Sequence, residues 1–242
     1  MPVQQRKKGG QTIACLYSGG KDSTLAIHRM HELGKDVDLL ITLKPENPDS
    51  YMFHRPNIEF TTMQAKALGI RQELVATKGE KEAELADLEE ALRANGVSGV
   101  VTGALASRYQ KDRVDRICER LKIEHYAPLW GINPLSELKE ISQKFEAIIT
   151  KVAAYGMDYS FLGARIDEST ISKLESLNRK YGINISFEGG EAESFVLNAP
   201  LFRSRISIVS ASKEWHNDSG TYLIKEAKLV PKKGINNIDA QI

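Results

Sequence analysis

The sequence predicts an α/β protein in which a Rossmann-like parallel sheet is followed by a second, smaller α+β domain. Across the first 130 residues, short apolar runs recur between amphipathic segments, which is typical of strands buried on both faces of a parallel sheet. Beyond residue 200, apolar and polar residues alternate as in antiparallel strands. The chain has 242 residues, 41% hydrophobic and 27% charged, which suits a globular protein of this size and excludes a disordered or collagenous one.

A strand, a glycine turn and a helix lead the chain. Residues 12–17 form an apolar run that predicts a buried strand, and the polar turn 18–23 ends it. A helix then begins near Asp22, because apolar side chains recur at helical spacing as far as Leu33. Gly34 stands at the position of a helix C′ glycine and ends this helix.

Strands and helices continue to alternate after this first unit. Further strands are predicted at residues 37–43, 72–77, 97–102 and 124–129. Helices are predicted from Asn57, as the N-cap, to Gly69, and over residues 80–95 and 108–121. Residues 44–55 contain prolines and little periodicity, which predicts a long loop after the second strand. The alternation predicts a parallel sheet covered on both faces, with right-handed crossovers.

The second half of the chain has a different pattern. We expect a helix from Ser136 to about residue 154, a strand at 161–166 and a helix at 169–181. Residues 203–209 and 221–229 predict antiparallel strands joined through 215–220. We therefore predict a domain boundary near Gly131, which divides the chain into residues 1–130, residues 131–230 and a flexible tail at 231–242.

Charge and cysteine usage exclude several classes of protein. Lys and Arg total 33 against 32 Asp and Glu, so the basic excess of a general polyanion-binding surface is missing and we expect no nucleic-acid partner. Cys15 and Cys118 lie far apart and outside any zinc-ligand spacing, and Cys15 sits in an apolar run like a buried thiol. With no leader pattern and no bilayer-length apolar stretch, we expect a cytoplasmic protein without membrane contact.

The turn Ser18-Gly-Gly-Lys-Asp-Ser23 follows the first strand and opens the first helix. Glycines let the backbone approach an oxyanion, the N–H groups and helix dipole attract phosphate, and the Lys21 ammonium can neutralise its charge. The spacing matches neither the P-loop nor the dinucleotide fingerprint. The simpler alternative is a glycine turn with polar caps.

This hexapeptide, in its strand–turn–helix context, resembles the PP-loop of the ATP pyrophosphatases, which have the adenine nucleotide alpha hydrolase-like fold and release AMP and pyrophosphate. Four further segments resemble the diphthine–ammonia ligase family, in its archaeal form. They are residues 188–194 (Glu-Gly-Gly-Glu-Ala-Glu-Ser), 103–113, 50–57 and 128–130. Ala192 and Ser194 depart from the aromatic residue and the threonine that the family has in the first of these segments.

The resemblance implies a carbon–nitrogen ligase that uses ATP, Mg²⁺ and ammonia to amidate diphthine on translation elongation factor 2, and it suggests a homodimer. It assigns ATP binding to Ser18, Gly19, Gly20, Lys21, Asp22, Ser23 and Gly103, with Asp22 also a Mg²⁺ ligand. Catalytic roles fall to Lys21, Asp22, Glu188, Glu191 and Glu193. Substrate binding falls to His54, Arg108, Tyr109, Gln110, Arg113, Gly189 and Gly190, and Lys111 is a further candidate cation.

Simpler interpretations stand beside these roles. Glu188 and Glu193 could cap and orient a glycine turn, Tyr51 and His54 could be ordinary loop residues, and Trp130 favours packing at the domain junction. His28 and His31 lack acidic or cysteine partners at ligand spacing and predict surface or packing roles. Two other functions remain open: a PP-loop ligase or thiolase acting on another acceptor such as transfer RNA, which the missing Cys-x-x-Cys pair disfavours, and a non-catalytic ATP- or AMP-binding module.

Overall fold

A computed structural model describes residues 11–45, 56–78 and 81–232. Its first half is a five-stranded parallel sheet in the order β3-β2-β1-β4-β5. The strands are β1 (Ile13–Leu16), β2 (Leu39–Pro45), β3 (Arg71–Thr77), β4 (Gly99–Val101) and β5 (Glu124–Tyr126). The predicted parallel α/β sheet is confirmed. The strand order reverses between β1 and β4: the chain adds β2 and β3 on one side of β1 and then β4 and β5 on the other.

Helices cover both faces of this sheet. They are α1 (Lys21–Glu32), α2 (Thr61–Leu68), α3 (Lys81–Ala94) and α4 (Arg108–Leu121). Side chains alternate along β1, so that Ala14 packs with α3 and α4 on one face while Ile13 and Cys15 pack with α1 and α2 on the other. The helices lie within a few residues of their predicted bounds, and Gly34, at φ +71°, follows the end of α1 as expected.

The second half is a four-stranded antiparallel sheet in the order β7-β6-β9-β8. Its elements are α5 (Pro134–Lys144), β6 (Glu146–Val152), α6 (Glu168–Tyr181), β7 (Ala192–Asn198), β8 (Ser204–His216) and β9 (Ser219–Pro231). The predicted hairpin is confirmed as β8–β9, which turns at Asn217 in the left-handed conformation, φ +51°. This sheet packs against α1 and α2, so one hydrophobic cluster joins the two halves.

Three local predictions were wrong. The helix expected to run from Ser136 to about residue 154 ends at Lys144, because the following apolar, β-branched run forms β6 with its side chains almost all buried. Residues 161–166 form no strand: a 3₁₀ turn at Tyr159–Phe161 precedes a single bridge between Arg165 and Ile148.

The third concerns Asn57, whose side chain makes no cap hydrogen bond. Asn57 has φ +69°, and its amide instead donates to the Tyr222 carbonyl at 3.0 Å and accepts from the Ile224 N–H at 2.7 Å. The residue therefore joins the start of the 3₁₀ turn Ile58–Phe60 to strand β9.

Several smaller expectations are met within the described part of the chain. Cys15 and Cys118 are both free and buried. His28 is buried and packs on Phe145, with 4.9 Å between ring centroids, and His31 lies at the surface beside Asp36. No helix among the described residues is long and apolar enough to cross a membrane.

Candidate active site

A cavity of about 510 Å³ lies at the carboxyl ends of β1 and β4, the two neighbouring strands between which the strand order of the parallel sheet reverses. This volume is within the range of small-molecule sites, and open α/β sheets bind ligands at this position. Predicted site residues from four segments line it: Ser18, Gly20, Asp22 and Ser23; Gly103; Tyr109, Gln110 and Arg113; and Glu188, Gly190 and Glu193. The two halves of the chain thus contribute to one cavity.

The turn after β1 has the backbone of an anion-binding loop. Gly19 has φ +79°, and a Cβ there would lie 2.5 Å from Gln64 Oε1, so the position suits glycine alone. Gln64 Nε2 donates to the carbonyls of Gly19 and Val196, at 2.9 and 2.8 Å, and so ties the turn to β7. The first N–H groups of α1 have no acceptor within the helix, which is the arrangement that phosphate sites at helix N-termini use.

Gly103 brings the end of β4 against the start of α1. A Cβ at this position would lie 2.7 Å from both the Asp22 carbonyl carbon and the Ser23 nitrogen. No side chain fits in that gap without moving the backbone of the turn. Gly103 therefore sets the width of the cavity beside the glycine turn.

The Lys21 ammonium is buried beneath the turn and does not line the cavity. Its Nζ lies 2.5 Å from Asp22 Oδ1, 2.8 Å from Glu137 Oε1 and 2.9 Å from the Ser186 carbonyl oxygen. An ammonium has three N–H donors, and these three acceptors use all of them. This geometry does not support the expectation that Lys21 neutralises phosphate: Lys21 connects α1 to α5 and to the segment before the Glu-Gly-Gly loop.

Glu137, in the first turn of α5, is fully buried, and its Oε2 has no hydrogen-bond partner. Burial raises the pKa of this carboxyl to about 9, because loss of hydration and the nearby Asp22 carboxylate outweigh the attraction of Lys21. The pKa of Lys21 is raised in turn: desolvation opposes the ammonium, but Asp22 and Glu137 together outweigh it.

The three glutamates of residues 188–194 have different surroundings. Glu188 Oε2 accepts from the N–H groups of Ala106 and Ser107, both at 3.0 Å, and so caps the start of α4 from the other half of the chain. Glu193 lines the cavity 3.5 Å from Lys151 Nζ. Ser194 Oγ accepts from the Lys21 N–H at 3.1 Å, which seats the start of β7 on the glycine turn.

Glu191 is directed into its own loop. Its two oxygens accept from the N–H groups of Asn184 and Gly189, at 3.0 and 2.9 Å, and it does not line the cavity. This geometry does not support the catalytic role expected of Glu191. It fixes the turn that presents Gly190 and Glu193 to the cavity.

Among the described residues, Arg113 is the one lysine or arginine that lines the cavity. Its guanidinium lies over the Tyr109 ring at 4.4 Å and donates to the Tyr109 hydroxyl. Arg108, at the start of α4, is exposed and outside the lining, and Lys111 pairs with Asp115 at 2.7 Å. Trp130 is 38% exposed, with Lys111 Nζ 5.7 Å from its ring, so it is only partly packed. Tyr51 and His54 lie outside the described residues.

Asp22 is the side chain whose position fits a magnesium ion. No three His, Cys, Asp or Glu side chains converge as a ligand set within residues 11–45, 56–78 and 81–232. Mg²⁺ needs no such set, because it usually binds one or two carboxylates together with substrate phosphates and water. The Asp22 carboxylate lines the cavity beside the glycine turn, where those phosphates would lie.

The sequence did not identify Glu137 or Phe187 as part of the site. It also did not identify three side chains joined by hydrogen bonds, Thr102, His125 and Asp115, of which Thr102 lines the cavity. Glu137 fell inside a helix predicted with the wrong end, and nothing in its local pattern indicated burial. Phe187 has φ +69°, a rare conformation for a bulky residue, and its ring lies 5.4 Å from Lys21 Nζ. A phenylalanine beside Glu-Gly-Gly gives no sequence signal for this conformation.

The fold and the site together define a nucleotide-binding type of α/β protein, with an anion-binding turn at the switch point and a second sheet closing the cavity. Family models for the diphthamide synthase N-terminal and C-terminal domains match residues 11–125 and 133–230. The chain therefore belongs to the diphthamide synthase family, as the resemblance indicated.

Named relatives agree with this assignment. The chain is 35% identical over 230 residues to a diphthine–ammonia ligase of Bos taurus, covering 85% of each chain. It is 32% identical over 229 residues to a diphthine–ammonia ligase of Homo sapiens, with the same coverage. Among solved structures, a predicted subunit of tRNA methyltransferase from Methanocaldococcus jannaschii is 17% identical with a TM-score of 0.45, over 78% of this chain and 98% of that one.

Proposed function

We propose that this protein is an ATP-dependent carbon–nitrogen ligase that amidates diphthine on translation elongation factor 2 with ammonia, releasing AMP and pyrophosphate. The observation that carries the proposal is the meeting of the Ser18–Ser23 turn and the acidic 188–194 segment in one cavity. The names of the relatives at 32–35% identity support the same reaction.

The chemistry explains why ATP is needed. A carboxylate is a poor acyl donor, because an oxide ion is a poor leaving group, whereas an acyl-adenylate loses AMP readily. The protein must align the diphthine carboxylate with the α-phosphorus of ATP and stabilise charge on the phosphoryl oxygens. We therefore expect the turn to hold the phosphates while the second half of the chain holds the acceptor.

Backbone groups do most of the phosphate binding in this proposal. The hydroxyls of Ser18 and Ser23, 3.3 Å apart, face the phosphates, together with the N–H groups at the start of α1 other than that of Lys21, which donates to Ser194 Oγ. Arg113 is the cavity cation that can pair with them. Mg²⁺, held by Asp22, would screen phosphate charge, and Lys21 would keep the Asp22 carboxylate in place from below.

The acceptor side is acidic. Diphthine carries a trimethylammonium group, which carboxylates attract and which aromatic faces also suit. Of the three glutamates in residues 188–194, Glu193 is the one that lines the cavity without a described hydrogen bond from a backbone N–H, and the Tyr109 ring also lines the cavity. We propose these two residues for the acceptor, with Gln110 and Gly190 beside them.

The reaction can be tested directly. Purified protein given ATP, Mg²⁺, ammonium and diphthine-bearing elongation factor should form AMP, pyrophosphate and the amide in equal amounts. Asp22→Asn should lower AMP formation by at least tenfold. Its matched control is Asp36→Asn at the far end of α1, where the carboxylate is 71% exposed and contacts only His31 among the pairs described.

Failure to form AMP with this acceptor would overturn the proposal. AMP formation with transfer RNA in place of elongation factor would favour the other PP-loop ligase. ATP binding without AMP from wild type and Asp22→Asn alike would favour a non-catalytic nucleotide-binding module. We also propose a homodimer, which sedimentation of the same preparation tests. The domain boundary near Gly131 stays a proposal.

A further inference from the structure

A chain of three hydrogen-bonded side chains ends in the cavity at Thr102, directly after β4. Asp115 Oδ1 lies 2.6 Å from His125 Nδ1, and His125 Nε2 lies 2.9 Å from Thr102 Oγ1. The His125 side chain is 6% exposed, and Thr102 lines the cavity next to Gly103. The three residues come from α4, β5 and the end of β4.

The carboxylate determines the direction of the hydrogen bonds. Asp115 accepts from His125 Nδ1–H and, through its other oxygen, from Lys111 Nζ at 2.7 Å. Hydrogen bonds from His125 and Lys111 lower the pKa of Asp115, although burial opposes this, so the carboxylate remains an acceptor. In the neutral imidazole Nε2 is then the acceptor, and Thr102 must donate its hydroxyl proton to it. The hydroxyl therefore presents only lone pairs to the cavity.

The proposed amidation needs a base at this place. When ammonia adds to the acyl carbon it becomes positively charged, and one N–H proton must leave as the adenylate departs. Besides the phenols of Tyr17 and Tyr109, the ionisable acceptors among the described lining residues are carboxylates: Asp22, Glu84, Glu188 and Glu193. An imidazole is the side chain that most often serves as a general base in enzymes.

We propose that Thr102, His125 and Asp115 form a proton relay that deprotonates the ammonia nucleophile. The C–N bond forms and the C–O bond to AMP breaks. A proton passes from nitrogen to Thr102 Oγ1 while the hydroxyl proton of Thr102 passes to His125 Nε2. The imidazolium is stabilised by Asp115, which acts as a positioning residue. This inference rests on the proposed function and extends it to the second half-reaction.

The test separates the two half-reactions in the full-length protein with diphthine-bearing elongation factor. Adenylation is measured as exchange of labelled pyrophosphate into ATP, and amidation as amide formed with ammonium. Hydroxylamine serves as a second nucleophile, because it attacks acyl-adenylates without strong assistance from a base. Thr102→Val keeps the shape and removes the hydroxyl, Thr102→Ser restores the hydroxyl, and Asp115→Asn removes the carboxylate that fixes the tautomer.

We expect Thr102→Val and Asp115→Asn to lower amide formation by about 100-fold, the usual contribution of a general base. Pyrophosphate exchange and hydroxamate formation should stay within about twofold of wild type, and Thr102→Ser should restore amidation. Equal loss of exchange and amidation would overturn the relay, since Thr102 would then bind the nucleotide. Unchanged amidation would also overturn it. Absence of exchange in the wild type would instead overturn the proposed function itself.

Discussion

Replacement of Lys21 by methionine tests the interpretation that this residue joins the two halves of the protein. The change keeps the apolar stem and removes an ammonium that donates to Asp22, Glu137 and the Ser186 carbonyl. Glu137 is fully buried, so it cannot recover the lost contact from water. The variant should therefore fold less stably, even in the absence of any ligand.

The size of the expected loss of stability follows from the burial of the Lys21–Glu137 pair. Breaking a buried ion pair by removing one partner costs about 3–5 kcal/mol. In the variant the ammonium that favours the charged form of Glu137 is gone, and burial already raises the pKa of this carboxyl, so Glu137 takes up a proton and is not left as a bare charge. We therefore expect the lower limit, about 3 kcal/mol, which corresponds to a fall in Tm of roughly 6–12 °C for a chain of this size.

Urea unfolding at pH 7.5, followed by far-ultraviolet circular dichroism, measures this difference. Glu137→Gln keeps an acceptor for Lys21 and should cost about 1 kcal/mol. Lys139→Met is the matched control, because this lysine of α5 is exposed and its loss should change stability by less than about 0.5 kcal/mol. Loss of ATP binding by Lys21→Met with unchanged stability would refute the reasoning and restore Lys21 as a phosphate ligand.

Three further perturbations have defined outcomes. Burial lowers the pKa of His28 to about 4, so the folded protein loses stability as the pH falls from about 6.5 through 4 and the unfolded chain takes up the proton first. In urea titrations, wild type should be less stable at pH 4.5 than at pH 7.5, and His28→Gln should reduce this difference by up to about 3 kcal/mol. Gly103→Ala places a methyl 2.7 Å from the Asp22 backbone and should cost about 1–3 kcal/mol and most ATP affinity. Gly96→Ala meets no neighbouring atom but strains its backbone at φ +58°, so it should cost about 1–2 kcal/mol and leave the ATP affinity measured by calorimetry unchanged. Glu188→Ala should remove the cap on Ala106 and Ser107 and cost about 1 kcal/mol of unfolding free energy, and an unchanged Tm would contradict this cap.

Much of the fold could be predicted because its signals are local. Buried parallel strands have continuous apolar runs, and α4 runs from Arg108 to Leu121 as its periodicity predicts. The second half was harder to predict, since residues 146–152 are apolar enough to continue helix α5 or to form a strand. Only their position between β7 and β9 selects the strand, and that position depends on residues far along the chain.

The candidate site could likewise be predicted only where its signals are local. The glycine turn and the 188–194 segment could be identified because their residue types carry a recognisable chemistry. The use of each side chain could not be predicted, because Lys21 is directed by Glu137, which is 116 positions away, and Glu191 by the N–H groups of its own loop. His125 has no nearby sequence partner that indicates its contact with Thr102, which the pairing of β4 with β5 creates.

The most direct measurement follows the oxygen of the substrate carboxylate. Elongation factor whose diphthine carboxylate carries ¹⁸O is incubated with the protein, ATP, Mg²⁺ and ammonium, and the nucleotide products are analysed by mass spectrometry. Attack of the carboxylate on the α-phosphorus predicts AMP containing one ¹⁸O atom and unlabelled pyrophosphate. Label in inorganic phosphate together with ADP, or amide formed with unlabelled AMP, would contradict the acyl-adenylate route.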